Sequence, residues 1–211
     1  MPGHRLGDLS MRFETGFRPG QEALACAVVS TGLLGQGSAD PGGRSYGAYQ
    51  LSSTVQAGQQ VLAFLKAEGK PWATLFAGLD PTRAGRFAAA WKVVATSEAA
   101  AFFAAQHDFI QRTHFAVVVA KVRLLTRIDL SARCPAVSDV VWSMAVQHGR
   151  AAQLVTATIR ALQPGVGNRA LIDALYDRRE IYVRALGLAG LVKGRYVPER
   201  RDALALLPHG E

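Results

Sequence analysis

Two cysteines in 211 residues are too few for a disulfide framework. No apolar run reaches the roughly 18 residues that would span a bilayer. Met1 to Ser10 carries His4, Arg5 and Asp8 but no apolar core of a secretory leader. Acidic residues are scarce: 16 Asp and Glu against 24 Lys and Arg leave a formal net charge of +8. Such a balance favours anionic partners, among them nucleic acid, a membrane surface or a cell-wall polymer. The basic residues are scattered, however. Their densest groups, Arg178-Arg179 and Arg195 to Arg201, are interrupted by Asp177, Glu180 and Glu199 and read as surface or tail packing. Zinc-finger spacing, an aromatic ribonucleoprotein-type motif and a basic heptad region are all missing, so no nucleic acid is expected as partner. A Walker-type phosphate loop and the strand-to-helix elbow of serine hydrolases are missing too. With 49% apolar residues the chain is not disordered, and its length suits one domain, residues 1–211.

What is present reads mainly as helix. Leu9 to Phe13 forms a short helix with Glu14 at its end. Ser53-Thr54 is the expected cap of a helix carrying Val55, Val61, Leu62 and Leu65 and ending near Gly69. Asp80-Pro81 opens the next, with Phe87, Trp91 and Val94 at i, i+4, i+7. An Ala-rich helix from Ser97-Glu98 carries Phe102, Gln106, Phe109 and Ile110. Val117 to Leu125 reads as a buried helix, although its β-branched run also allows a strand. Ser138 is placed to cap Asp139 to His148, and further helices span about 150–163 and 168–186. One segment departs from this pattern. Gly32, Gly35, Gly37, Gly42, Gly43 and Gly47 crowd around Asp40-Pro41, followed by the partial alternation of Ser45 to Ser52. That combination predicts turns and a small β-hairpin near residues 40–53 within an otherwise helical domain.

The hairpin segment and the first helix each contribute a carboxylate. A helix-end Glu14 and a loop Asp40 facing each other suit glycoside hydrolysis: one carboxyl protonates the leaving oxygen, the other activates water or stabilises the oxocarbenium-like state. The acid needs partial burial, which Met11 and Phe13 are positioned to supply. The same two residues also suit a helix-end acid and a turn-forming Asp-Pro-Gly, and spacing alone does not choose.

Leu6-Gly7-Asp8-Leu9-Ser10 through Phe13-Glu14-Thr15-Gly16 resembles the opening of lysozyme-like peptidoglycan hydrolases. These occur in phage lysis or tail proteins and as C-terminal domains of evolved type VI secretion spike proteins. The likeness continues through Val29 to Gly32, the block from Asp40-Pro41-Gly42-Gly43 to Ser53, Val141 to Gly149, Leu171 to Asp177, and Arg195-Tyr196 through Leu204. The resemblance implies a mainly α, lysozyme-like α+β fold and muramidase cleavage of the β-1,4 bond between N-acetylmuramic acid and N-acetylglucosamine, with no cofactor. By position Glu14 matches the acid and Asp40 the second carboxylate. The interval to Ser45 is similar to one in phage lysozymes and chitosanases where a hydroxyl helps hold the attacking water. An inverting enzyme follows by that analogy, its carboxyls about 6.5–9.5 Å apart. Residues 17–39 hold an insertion, which makes Glu22 a rival acid. A chitosanase or chitinase-type enzyme, or an inactive wall- or partner-binding module, are the alternatives. Delivery without a leader implies either phage lysis or injection into a competitor's periplasm by a type VI system. The second route implies a spike or adaptor and a periplasmic immunity protein as partners.

Around this dyad, Tyr46, Tyr49 and Gln50 on the hairpin are candidate sugar contacts, with hairpin packing the alternative for each tyrosine. The resemblance also places the helix of Trp142, Gln147 and His148 near the site. Gln147 and His148 are further substrate-contact candidates, although His148 also suits a structural role and Trp142 the core. His107 and His114 lack a metal-ligand pattern around them, so no metal is expected. Cys26 and Cys134 read as two buried free thiols, with one disulfide the alternative if the fold brings them together.

Overall fold

The computed structural model describes residues 4–33, 38–54 and 58–208. Its helices and strands are, in chain order, α1 (Asp8–Thr15), α2 (Glu22–Cys26), β1 (Ser45–Tyr46), β2 (Leu51–Ser52), α3 (Gln60–Glu68), α4 (Ala73–Phe76), α5 (Arg86–Ser97), α6 (Ala99–Ile110), α7 (Ala116–Thr126), α8 (Pro135–Gln147), α9 (Ala151–Ala161), α10 (Asn168–Ala185) and α11 (Val197–Ala205). Short 3-10 turns and two π-helical segments, Gln111–Phe115 and Val192–Tyr196, complete the described structure. The fold is thus mainly α with one small antiparallel hairpin, pairing Ser45 with Ser52 and Tyr46 with Leu51. Among the described residues no helix is long and apolar enough to cross a membrane. The described residues divide into two compact units, one within 14–110 and the other comprising 4–13 with 111–208.

In the first unit, Trp91 of α5 sits at the centre of an aromatic core. Phe102 approaches it edge-on with ring centroids 4.7 Å apart, and Phe64, Phe76, Phe87 and Tyr46 surround it. Its indole N–H donates to the Cys26 carbonyl at 2.7 Å, tying α2 to the same core. The hairpin closes over this cluster. Gly47 turns it with φ +76°, and a Cβ there would stand 2.1 Å from Gln106 Oε1, the atom that accepts the Ala48 N–H. Only glycine fits. Gly47→Ala is expected to destabilise the protein by about 2–4 kcal/mol through left-handed strain and overpacking; a urea midpoint equal to wild type would refute this.

In the second unit, α8 is the buried axis. Nearly every residue from Ala136 to Ala145 is withdrawn from solvent, and the Trp142 ring packs on Phe115 of the preceding π-segment at 5.5 Å. Helix α7 covers the expected 117–125 stretch and is a helix rather than a strand. It is not a buried one: only Val118 and Val122 are inside, while Val117 and Leu124 are exposed. A helix buries one stripe, and here the stripe is a single i, i+4 pair.

Three expected caps do not open their helices. Ser53 and Thr54 bind the glycine loop, through Ser53 N–H on the Gly42 carbonyl and Thr54 Oγ1 on the Pro41 carbonyl, and α3 begins only at Gln60. Val55 lies outside the described residues. Asp80 closes a turn on the Thr82 N–H at 2.8 Å, six residues before α5 opens at Arg86. Pro135 starts α8 three residues ahead of Ser138.

Candidate active site

Glu14 occupies the last turn of α1, which stops at Gly16. The residue is half-buried, with Oε1 withdrawn from solvent. Asp40 lies in the first unit, as Glu14 does. Its backbone is held by N–H donation to the Gly32 carbonyl at 3.0 Å and by the Gly43 N–H, which donates to the Asp40 carbonyl at 2.8 Å. Its carboxylate accepts the Gly42 N–H through Oδ1 at 2.7 Å, an Asx-type turn. Gly43 has no room for a side chain, since a Cβ would meet Thr54 Cγ2 at 2.5 Å. The glycines around Asp40 therefore serve a built loop whose carboxylate is locked through one oxygen. Ser45 begins β1, where its N–H donates to Ser30 Oγ and its carbonyl accepts from the Ser30 N–H. Residues 28–30 thereby flank β1 as a third extended segment.

The other candidates separate. Tyr46 is fully buried, edge-on to Phe87, with its hydroxyl donated to the Pro81 carbonyl at 2.6 Å; burial pushes its pKa up to about 12. Tyr49 is also inside, its hydroxyl 2.9 Å from His107 Nδ1. Neither ring has a face to offer a sugar, and both take the packing role. Gln50, half-buried at the hairpin turn with φ +52°, donates its own amide to the Gly47 carbonyl. Glu22 accepts the Gly20 N–H at 3.1 Å, a contact that shapes the turn before α2. Residues 34–37 of the insertion, with Gly35 and Gly37, lie outside the described residues. Cys26 and Cys134 are both free thiols; Cys26 is buried as expected, whereas Cys134, just ahead of α8, is only partly buried. Among the described residues, no group of three or more His, Cys, Asp or Glu is arranged to hold a metal.

Gln147 and His148 belong to the second unit, in a buried polar cluster that sequence patterning missed. Glu199 of α11 and Arg179 of α10 are both fully buried and pair at 2.9 Å, while Arg195 Nε reaches the other Glu199 oxygen at 2.8 Å. Ser143 and Tyr176 donate to Glu199, and Arg179 also reaches Gln147 Oε1 at 2.6 Å. Burial alone would raise Glu199; Arg179 and Arg195 outweigh it and hold the carboxyl at about 2. The expected surface role of Arg179 and Arg195 is thus corrected: two arginines around one Glu have their charge partly balanced, and Arg179 spends both Nη groups on Glu199, Ser143 and Gln147, which is what allows burial. The spacing of Arg179, Arg195 and Glu199 on separate segments carries no local signal.

His148 takes the structural role. It is buried against Tyr182 and Tyr196, with Nε2 3.1 Å from the Tyr196 hydroxyl. Burial, then the nearby Arg179 and Arg195, depress its pKa to about 3. The unfolded chain binds a proton there near pH 6.5 and the folded chain does not, so stability falls as pH drops below 6.5. From pH 7 to pH 5 this linkage amounts to about 2 kcal/mol. His148→Gln should flatten that part of the urea-midpoint profile; an unchanged slope would count against it.

Residues 6–186 match the family model described as type VI secretion system spike protein VgrG3-like, C-terminal. The chain belongs to this family. It is also 32% identical, over 134 residues or 64% of its length, to the type VI secretion system spike protein VgrG3 of Vibrio cholerae serotype O1. It covers 12% of that protein, so most of the spike protein has no counterpart in this chain. Both Glu14 and Asp40 fall within the residues that the VgrG3-like C-terminal model spans.

Proposed function

We propose that this VgrG3-like domain hydrolyses the glycan strand of peptidoglycan as a muramidase, with Glu14 as general acid and Asp40, aided by Ser45, positioning and activating water. The observation that carries the reading is the contrast between the two carboxylates of the first unit. Glu14 ends a helix with one oxygen withdrawn from solvent, the setting of a group that donates a proton. Asp40 is half-buried in a loop that immobilises it through Oδ1. In the reaction the Glu14 proton passes to the glycosidic oxygen as the C1–O bond breaks. Asp40 takes a proton from the water that attacks C1 from the opposite face, giving an inverted product. Glu14 ends ionised and Asp40 protonated, and exchange with solvent resets both.

Family membership supports carriage by a type VI spike. In this reading the domain reaches the cell wall of a competitor, and a periplasmic immunity protein protects the producer. A net charge of +8 suits an anionic envelope. The test is digestion of purified sacculi and chitosan in parallel, with mass analysis of the products and NMR of the nascent anomer. Muropeptides ending in reducing N-acetylmuramic acid, first released as the α-anomer, are expected. Release from chitosan alone selects the chitosanase alternative, and no cleavage of either polymer rejects the hydrolase.

A further inference from the structure

We propose that Ser30 is a positioning residue for Ser45, setting the place of the hydroxyl that holds the attacking water; the inference deepens the hydrolase reading and rests on it. Residues 28–32 are bonded to β1 on one side and to Asp40 on the other, all within the first unit. The Asp40 N–H donates to the Gly32 carbonyl at 3.0 Å, and the Gly47 N–H donates to the Val28 carbonyl at 2.8 Å. Val29 is bridged to Tyr46, which puts Ser30 directly opposite Ser45. At such a position an antiparallel pair exchanges two backbone hydrogen bonds. Here only one forms, from the Ser30 N–H to the Ser45 carbonyl at 2.9 Å. The return bond runs from the Ser45 N–H to Ser30 Oγ at 2.8 Å, and the Ser30 carbonyl accepts Arg44 Nη1 at 3.1 Å instead.

A side chain thus stands in for a ladder carbonyl at the one residue of β1 that the hydrolase reading uses. Serine hydroxyls compete for backbone groups in this way wherever they reach them. A ladder carbonyl is fixed by its strand, whereas Ser30 Oγ is fixed by a rotamer, so the Ser45 backbone sits where that rotamer holds it. Ser45 is half-buried, and among the described residues its hydroxyl has no hydrogen-bond partner, which leaves it open to water. A misplacement of about 1 Å at a reacting group costs catalysis on the order of a hundredfold. Ser30 touches no reacting atom; it acts through Ser45.

The experiment is a double-mutant cycle between Ser30→Ala and Ser45→Ala, with Ser30→Thr and Tyr46→Phe beside it, read as kcat and KM on soluble, peptide-free peptidoglycan strands and as Tm. Ser45→Ala should lower kcat by about tenfold or more. Ser30→Ala should lower kcat by about tenfold and hold KM within about twofold, yet cost less than about twofold once Ser45 is already alanine. Ser30→Thr keeps the accepting hydroxyl and should hold kcat within about twofold of wild type. Tyr46→Phe, at the next residue of β1, loses the bond to the Pro81 carbonyl and should lower Tm without touching kcat. Wild-type kcat in Ser30→Ala, losses that multiply in the double variant, or no recovery in Ser30→Thr each overturn the positioning role. An equal loss of kcat in Tyr46→Phe overturns it too, since any loosening of β1 would then suffice. If Ser30→Ala does not fold, Ser30→Cys, whose sulfur is a weak acceptor, decides by the same cycle. A wild-type protein that cleaves no strand rejects the hydrolase reading and the role with it. An active wild type with full kcat in Ser45→Ala rejects the role of Ser30 and leaves the hydrolase standing.

Discussion

Glu14→Gln should slow glycan cleavage by about 10²–10⁴-fold, the range a general acid contributes, while Tm and chemical-denaturation midpoint stay close to wild type. The substitution keeps the shape of the side chain and removes the transferable proton. Asp40→Asn is matched to it by design. An Asn side-chain oxygen still accepts the Gly42 N–H that Asp40 Oδ1 accepts at 2.7 Å, so the turn survives and only the charge is lost. Both variants should therefore be folded and inactive in sacculus digestion. Glu22→Gln should retain activity, because Glu22 is engaged with the Gly20 N–H in the turn before α2. Loss of cleavage in Glu22→Gln with retention in Glu14→Gln would move the acid into the insertion. Full cleavage by both single variants at Glu14 and Asp40 would remove the dyad altogether. A wall phenotype that survives Glu14→Gln unchanged would favour a binding module over an enzyme.

The largest stability effect is expected at Glu199. Glu199→Gln leaves the fully buried Arg179 guanidinium and the nearby Arg195 without their carboxylate, and breaking a buried pair in this way costs about 3–5 kcal/mol. Arg179→Met leaves Glu199 still paired with Arg195 at 2.8 Å and should cost less than Glu199→Gln. The double variant should recover part of the Glu199→Gln loss, since the fully buried Arg179 charge is gone and only the partly exposed Arg195 is left without the carboxylate. Urea denaturation of the three proteins measures the cycle. A loss below about 1 kcal/mol in both single variants would mean that the cluster contributes no more than a surface pair. Acid should act in the same direction: with Glu199 held at about 2 when folded, its contribution is present above pH 4.5 and drains away as pH falls toward 2.

Most of what was legible in the sequence is local. The i, i+4, i+7 run of Phe87, Trp91 and Val94 places one face of α5 in the core. The alternation after Gly43 marks the hairpin, and the Asp40 loop owes its shape to neighbouring glycines and to Thr54. Helix starts were less legible, because Ser, Thr and Asp bind turns and loops as readily as helix ends. Asp80 takes the Thr82 amide and Thr54 takes the Pro41 carbonyl, each leaving its helix to begin later.

The residues alone therefore determined the helical class and the hairpin, which depend on spacings within a few turns of chain, while the two carboxylates of a glycan hydrolase were singled out by the resemblance of the blocks around them. Tertiary structure decided which polar groups are buried and what they serve. Tyr46 became core rather than sugar contact, Arg179 and Glu199 an internal ion pair, and Asp139 the acceptor of a Leu9 amide 130 residues away in sequence. The physical reason is that burial of a charge is settled by its partners, and these partners come from segments far apart in the chain.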